Sequence, residues 1–195
     1  MAFNYKQASR ILMGMLESKD HITAEHCRNV ARLAVKLGKA CGFKRKELHD
    51  LEFGALLHDV DKLKVPNELF EKLRNGSQLT KEDYEILIKH ASLQGTIPFE
   101  DKMPRIAQDC QRLHHENFDG TGYPNGLKGD QIPLHVMVLQ VADTYDAFTL
   151  ELPIRKGQTK DQTLFTLRQL AGTILNPELV EKFIRIMTPE TVEPS

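Results

Sequence analysis

The sequence predicts an all-α fold: a single-domain helical bundle of about seven or eight helices. Three observations predict it. Apolar residues recur at three- and four-residue intervals in segment after segment, no stretch carries the strict alternation of a convincing strand, and 195 residues with 41% hydrophobic side chains suffice for one core. No internal repeat or low-complexity segment divides the chain, and only the polar tail 189–195 falls outside the pattern.

Each element has a local reason. After Asp20, the residues Val30, Leu33, Ala34 and Leu37 mark one face of a helix with Thr23 as its N-cap, running to about Cys41 and stopped by Gly42. Leu48, Leu51 and Ala55 trace a second face that reaches His58, and Pro66 prevents simple continuation because it lacks an N–H and crowds the preceding turn. The segment LTKEDYEILIKHASLQG opens with a Thr80 cap and Asp83 three residues on, a capping box with Asp in the usual Glu position, and Ile86, Leu87 and Ala91 mark its buried side. Pro104 starts a helix through Ile106, Ala107, Cys110 and Leu113 that delivers His114 and His115 near its C-terminal end. Residues 119–130 form a long glycine-rich loop, a feature that inside a compact domain usually has a function. Pro133 starts a helix with Val136, Leu139 and Asp143 on one face, and two further helices at about 159–172 and 177–187 complete the chain.

Composition gives no support to several functional classes. Lys plus Arg (26) nearly balance Asp plus Glu (27), so no global basic field exists to hold a nucleic-acid polymer. Cys27, Cys41 and Cys110 are odd in number and form no C-x-x-C pair, which reads as reduced core residues of a cytosolic protein. No apolar run approaches the roughly 18–20 residues that span a bilayer, and the N-terminus MAFNYKQASR lacks a signal-peptide core. A cytoplasmic protein without membrane association is expected.

The informative residues are polar ones on apolar faces, because a buried His or Asp must be paired or bound to a metal. His26 is four before Val30, His58 seven after Leu51, Asp59 four after Ala55 and His90 four after Ile86. His114 is four after Cys110, with His115 beside it, and Asp143 is four after Leu139. Any one of these alone reads as a hydrogen-bonded core residue. Seven such groups on five inward faces point instead to a shared metal site. Imidazole and carboxylate donors without a thiolate pattern suit Fe, Mn, Zn, Ni or Mg. Seven donors exceed what one hydrolytic ion with open positions needs, so two divalent ions are expected, with Asp59 as the bridging carboxylate.

The strings HDVDKLKVP (58–66), LTKEDYEILIKH (79–90), HHENFDGTGYPNGLKGDQIP (114–133) and VADTYDAFT (141–149) resemble, in order and spacing, the HD-GYP branch of the HD metal-dependent phosphohydrolases. The resemblance covers about residues 20–185. It implies an all-α domain with a two- or three-metal centre, often iron or manganese, that hydrolyses the bacterial second messenger cyclic di-GMP to pGpG or GMP. Carried over by residue, His26, His58, Asp59, His90, His114, His115 and Asp143 match the metal ligands, and Lys62 matches a lysine that stabilises phosphate charge or protonates the leaving oxygen beside Asp59. Gly122, Tyr123 and Pro124 match the signature loop, and Arg155 matches a basic position facing the substrate phosphate.

Departures from the pattern carry their own expectations. Asp61 stands where the family has glycine, which puts a further carboxylate near Asp59 that either adds a ligand or repels a phosphate. Ile22 replaces the glutamate of three-metal members, so two ions are expected. Met137 replaces a common arginine, and ELPIR (151–155) replaces DRPYR, which leaves Leu152 and Ile154 where a basic residue and a tyrosine are usual. Two alternatives therefore accompany the cyclic di-GMP phosphodiesterase: a weak or inactive nucleotide-binding or protein-interaction module that contacts a signalling partner through the Gly-Tyr-Pro loop, and an HD phosphohydrolase for another nucleotide.

Overall fold

Nine α-helices and no named strand occupy the described residues. The structure, a computed structural model, describes residues 5–89, 99–152 and 155–188. The helices are α1 (Tyr5–Lys19), α2 (His21–Ala40), α3 (Arg45–Leu57), α4 (Asn67–Asn75), α5 (Lys81–Lys89), α6 (Arg105–Leu113), α7 (Leu134–Thr149), α8 (Lys160–Leu170) and α9 (Pro177–Met187). A 3-10 turn at Val60–Lys64 follows α3.

Two helices exceed the sequence expectation. In α1, Leu12, Met13 and Leu16 are buried against α2 and α3, a face that the polar N-terminal composition hides. α4 begins directly after Pro66, buries Leu69 and Phe70, and stops at Gly76, whose φ of 67° is a left-handed helix end. The N-cap of α2 is Asp20 rather than Thr23: the Asp20 carboxylate accepts the Thr23 backbone N–H at 3.2 Å. The Thr80/Asp83 box at α5 forms as expected, with Thr80 N–H donating to Asp83 at 2.8 Å and Asp83 N–H to Thr80 Oγ1 at 3.2 Å. Ile86, expected inside, is 40% exposed, whereas Ala91 lies outside the described residues. Cys27 and Cys110 are core residues, but Cys41 is only half-buried.

Two apolar clusters fill the interior. One joins α2, α3, α6, α7, α8 and α9 through Val30, Leu51, Cys110, Leu139, Leu167 and Phe183. The other joins α1, α2, α3 and α6 through Leu16, Cys27, Leu57 and Ala107. Helix α3 touches α6 at Gly54, where an added Cβ would lie 2.8 Å from Ala107 Cα and 3.0 Å from Cys110 Cβ. Only glycine permits that approach. One turn beyond this contact each helix ends in a histidine, His58 on α3 and His114 on α6.

Candidate metal centre

His26, His58, Asp59, His114 and Asp143 converge from α2, the end of α3, the end of α6 and the centre of α7. One ligand atom from each of His26, His58 and Asp59 lies within 4.8 Å of the others. Asp143 Oδ1 is 2.9 Å from His26 Nε2 and 3.8 Å from His58 Nε2, and His114 Nε2 is 4.0 Å from Asp59 Oδ1. The His58 ring is edge-on to both His26 and His114, with centroids 5.5 and 5.2 Å away. His115 is half-buried, tilted against His114 at 3.9 Å and stacked on Tyr123 at 4.9 Å. His90 lies outside the described residues.

The ring nitrogens are sorted for metal binding. His58 Nδ1 pairs with the Ala55 carbonyl at 2.8 Å, and His114 Nδ1 with the carbonyls of Cys110 and Gln111 at 3.0 and 3.1 Å. A carbonyl only accepts, so Nδ1 carries the proton and Nε2 presents a lone pair to the cluster. His58 Nε2 is buried without a hydrogen-bond partner among the described residues. Such an atom is costly unless something binds it. His26 Nδ1 pairs with buried Asp146 at 2.7 Å, the carboxylate support that metal-binding histidines commonly have. The 2.9 Å between His26 Nε2 and Asp143 Oδ1 is also close to the separation of two neighbouring ligands with bonds of about 2.1 Å. The donor set therefore fits a divalent ion of the Fe, Mn or Zn type.

Electrostatics agree. Burial, with the imidazoles of His115 and His58 close by, drives the His114 imidazole well below its ordinary range, so it is neutral. Burial also pulls His26 down, but hydrogen bonds to Asp143 and Asp146 outweigh it and push it up to about 10. Asp143 moves the opposite way: burial raises it, yet the His26 bond and the nearby His58 hold it below the carboxylate range. A proton thus sits between His26 and Asp143 where a cation would otherwise stand. Burial lowers Lys62, but Asp59, 2.5 Å away, more than restores it, and the ammonium stays charged. Burial and the Asp59 charge raise the Cys27 thiol well up, so it is a neutral neighbour and not a thiolate.

The Gly-Tyr-Pro loop is built for close approach rather than as an ordinary tight turn. Gly122 has no positive φ; instead, a Cβ there would lie 2.2 Å from Asn117 N and 2.5 Å from the His115 carbonyl. That contact lets Tyr123 N–H donate to the His115 carbonyl at 3.1 Å and lays the Tyr123 ring on His115. The Tyr123–Pro124 peptide is cis. Glu116, 1% exposed, accepts the backbone N–H of Asn125 at 2.7 Å and of Leu127 at 2.9 Å. Buried Gln140 on α7 donates to the carbonyls of His114 and Glu116.

Glu116, Gln140 and Asp146 were not singled out from sequence. Their signals were present, because Asp146 is three residues after Asp143 on the same helix face and Glu116 follows the histidine pair directly.

The predicted substrate side is less assembled. Arg155 is exposed and donates to the Ala147 carbonyl at 2.7 Å, at the C-terminal end of α7. Leu152 pairs with Arg155 through a short backbone bridge. Met137 is buried in the larger core, with Asn176 Nδ2 3.6 Å from its sulfur. Asp61 is 6% exposed and accepts from Gln111 Nε2 at 3.1 Å. A cavity of about 580 Å³ between α1 and α4 is separate from all of these, and its cations Lys19 and Arg74 are already engaged by the Leu63 carbonyl and by Glu71 and Asp20.

Histidines and aspartates at the ends of packed helices, with Asp directly after the central His, define the class of HD-type metal-binding domains. The chain belongs to the HD domain family, which it matches over residues 10–179. It is 29% identical over 178 residues to a cyclic di-GMP phosphodiesterase of Thermotoga maritima, covering 90% of this chain and 48% of that protein. It is 28% identical over 172 residues to 3'3'-cGAMP-specific phosphodiesterase 2 of Vibrio cholerae, covering 87% of this chain and 32% of that one. The crystal structure of a cyclic GMP-AMP-specific phosphodiesterase of V. cholerae superimposes with a TM-score of 0.67 at 20% identity, over 92% of this chain and 48% of that one. The chain spans about half the length, or less, of the curated relatives it matches. No helix among the described residues is long and apolar enough to cross a membrane.

Proposed function

We propose that the chain is the catalytic domain of a metal-dependent phosphodiesterase that hydrolyses cyclic di-GMP to pGpG, GMP or both, in the bacterial cytoplasm. The observation that carries the reading is His58 Nε2, buried without a partner and facing Asp59, His26 and Asp143. His26, His58, Asp59, His90, His114, His115 and Asp143 would hold two divalent ions, iron or manganese. Bound there, the ions supply Lewis acidity for a phosphodiester and acidify a water. Lys62, kept charged by Asp59, is placed to offset charge on the phosphate or to hand a proton to the leaving oxygen. Tyr123, on its shelf over His115, offers a ring for a nucleobase, and Gly122 keeps that shelf flat. Arg155 would face the phosphate by leaving its carbonyl partners on α7.

A second reading rests on the thinned basic set. Met137 in the core and Arg155 bound to α7 leave fewer cations for two phosphates, which favours a slow enzyme, a nucleotide-binding signalling module or a hydrolase of a related dinucleotide such as 3'3'-cGAMP. The test is to purify the protein anaerobically, measure metal per chain, and follow pGpG and GMP during incubation with cyclic di-GMP. About two ions per chain and turnover abolished in Asp59→Ala is the expected result. Metal without cyclic di-GMP turnover would sink the first reading and promote the second.

A further inference from the structure

We propose that Asp61 and Gln111 form a brace that sets the spacing between Asp59 and His114, and that Asp61 is a positioning residue for metal binding in this chain. The inference rests on the metal-centre reading above but not on the identity of the substrate. Asp61 lies two residues after Asp59 and one before Lys62, in the 3-10 turn Val60–Lys64. Its Oδ2 accepts from Gln111 Nε2 at 3.1 Å, with Asp61 6% and Gln111 4% exposed. Gln111 acts twice, because its backbone carbonyl also accepts from His114 Nδ1 at 3.1 Å. The contacts close a ring: from Asp59 along the turn to Asp61, across to Gln111, along α6 to His114, and back over the 4.0 Å between His114 Nε2 and Asp59 Oδ1. The Asp61–Gln111 bond is the strut opposite that gap.

The amide's two ends are used unequally. The Gln111 amide turns its NH₂ toward the Asp61 carboxylate oxygen, which accepts. The consequence is visible at the other end of the amide, where Gln111 Oε1 is buried without a partner among the described residues. An apolar residue at position 111 would avoid that unsatisfied oxygen, so the amide's presence is accounted for by what its nitrogen holds. Through this bond Asp61 fastens the turn that carries Asp59 and Lys62 to the helix that carries His114.

The test reads metal binding directly, so it stands even if cyclic di-GMP proves not to be the substrate. Metal-stripped protein is titrated with Mn²⁺, well below its melting temperature, for the unmodified chain and for Asp61→Gly, Asp61→Asn, Gln111→Leu and the Asp61→Gly/Gln111→Leu pair. Loss of an outer partner of a metal ligand typically weakens binding by about 10- to 100-fold. We expect at least tenfold weaker binding in Asp61→Gly and in Gln111→Leu, no further loss in the double variant, and recovery in Asp61→Asn, whose amide oxygen still accepts from Gln111. A role in folding alone would lower the melting temperature of each variant and leave Mn²⁺ affinity unchanged, and that result overturns the proposal. Additive losses in the double variant overturn it as well.

Discussion

Replacing Glu116 by glutamine isolates the group that holds the loop over the centre. Both carboxylate oxygens accept a backbone N–H, from Asn125 at 2.7 Å and Leu127 at 2.9 Å, in a side chain only 1% exposed. Hydrogen bonds to a charged partner contribute about 1.5–3 kcal/mol each, against about 1 kcal/mol for a neutral pair. Glutamine keeps the shape but has one oxygen, so its NH₂ opposes the second backbone N–H, donor against donor. Two charge-assisted bonds become one neutral bond, a net loss of about 3 kcal/mol. At roughly 2–4 °C per kcal/mol for a chain of this size, the melting temperature should fall by about 6–12 °C. Urea unfolding followed by circular dichroism measures the free energy, with Glu116→Ala as a companion that loses both bonds and must be at least as unstable. A loss below about 0.5 kcal/mol, the level of an ordinary surface change, would refute the idea that this carboxylate anchors the loop.

Two other expectations follow from the geometry of the site. Gly122→Ala drives a Cβ to 2.2 Å from Asn117 N, which forces the loop to shift, costs about 1–3 kcal/mol and lifts Tyr123 from His115. Turnover should fall by on the order of 100-fold, the effect of an ångström-scale misplacement, and unchanged stability with unchanged rate would contradict the close-approach role. For pH, His26 is raised from 6.5 to about 10 in the metal-free protein, so its contribution to stability is present below about 6.5 and disappears as pH rises through about 10. Metal-free protein should therefore melt lower at pH 9.5 than at pH 6.5, with the slope flattened in His26→Gln. Mn²⁺ affinity should run the other way over that window, by up to about tenfold per pH unit, because binding releases the proton. Calorimetry with and without Mn²⁺ checks both, and metal-free stability that rises with pH would show the sign to be wrong.

How much of this was legible in the sequence depended on periodicity. The helices ending at His58 and His114, and the one carrying Asp143, announced themselves because their apolar residues repeat at helical spacing and the polar ones fall in register with them. Proline starts at α6 and α7 and the Thr80/Asp83 box were readable as local chemistry. α1 was not, since Ala8, Leu12 and Leu16 form a narrow stripe among polar neighbours and gain their meaning only against α2 and α3. α5 was recognised, but the exposure of Ile86 depends on what the rest of the chain leaves uncovered, which no local pattern records. In the site, ligand types could be read from position alone. Which group each support holds could not, because Asp146 on His26, Glu116 under the loop and Gln111 on Asp61 are contacts between residues 120, 9 to 11 and 50 positions apart.

Asp146 lies in the last turn of α7 and Asp143 one turn before it, so the Asp146 carboxylate stands where the helix's own carbonyls gather partial negative charge. With Asp59 opposite, three carboxylates face the two cations His26 and Lys62, which leaves a net negative charge that favours a further cation over an anion. Arg155, lying across the Ala147 carbonyl, offsets part of that field from outside. On the metal-centre reading proposed above, divalent ions would therefore load before a phosphate. A nucleotide added to stripped protein should thus find a closed door that manganese opens.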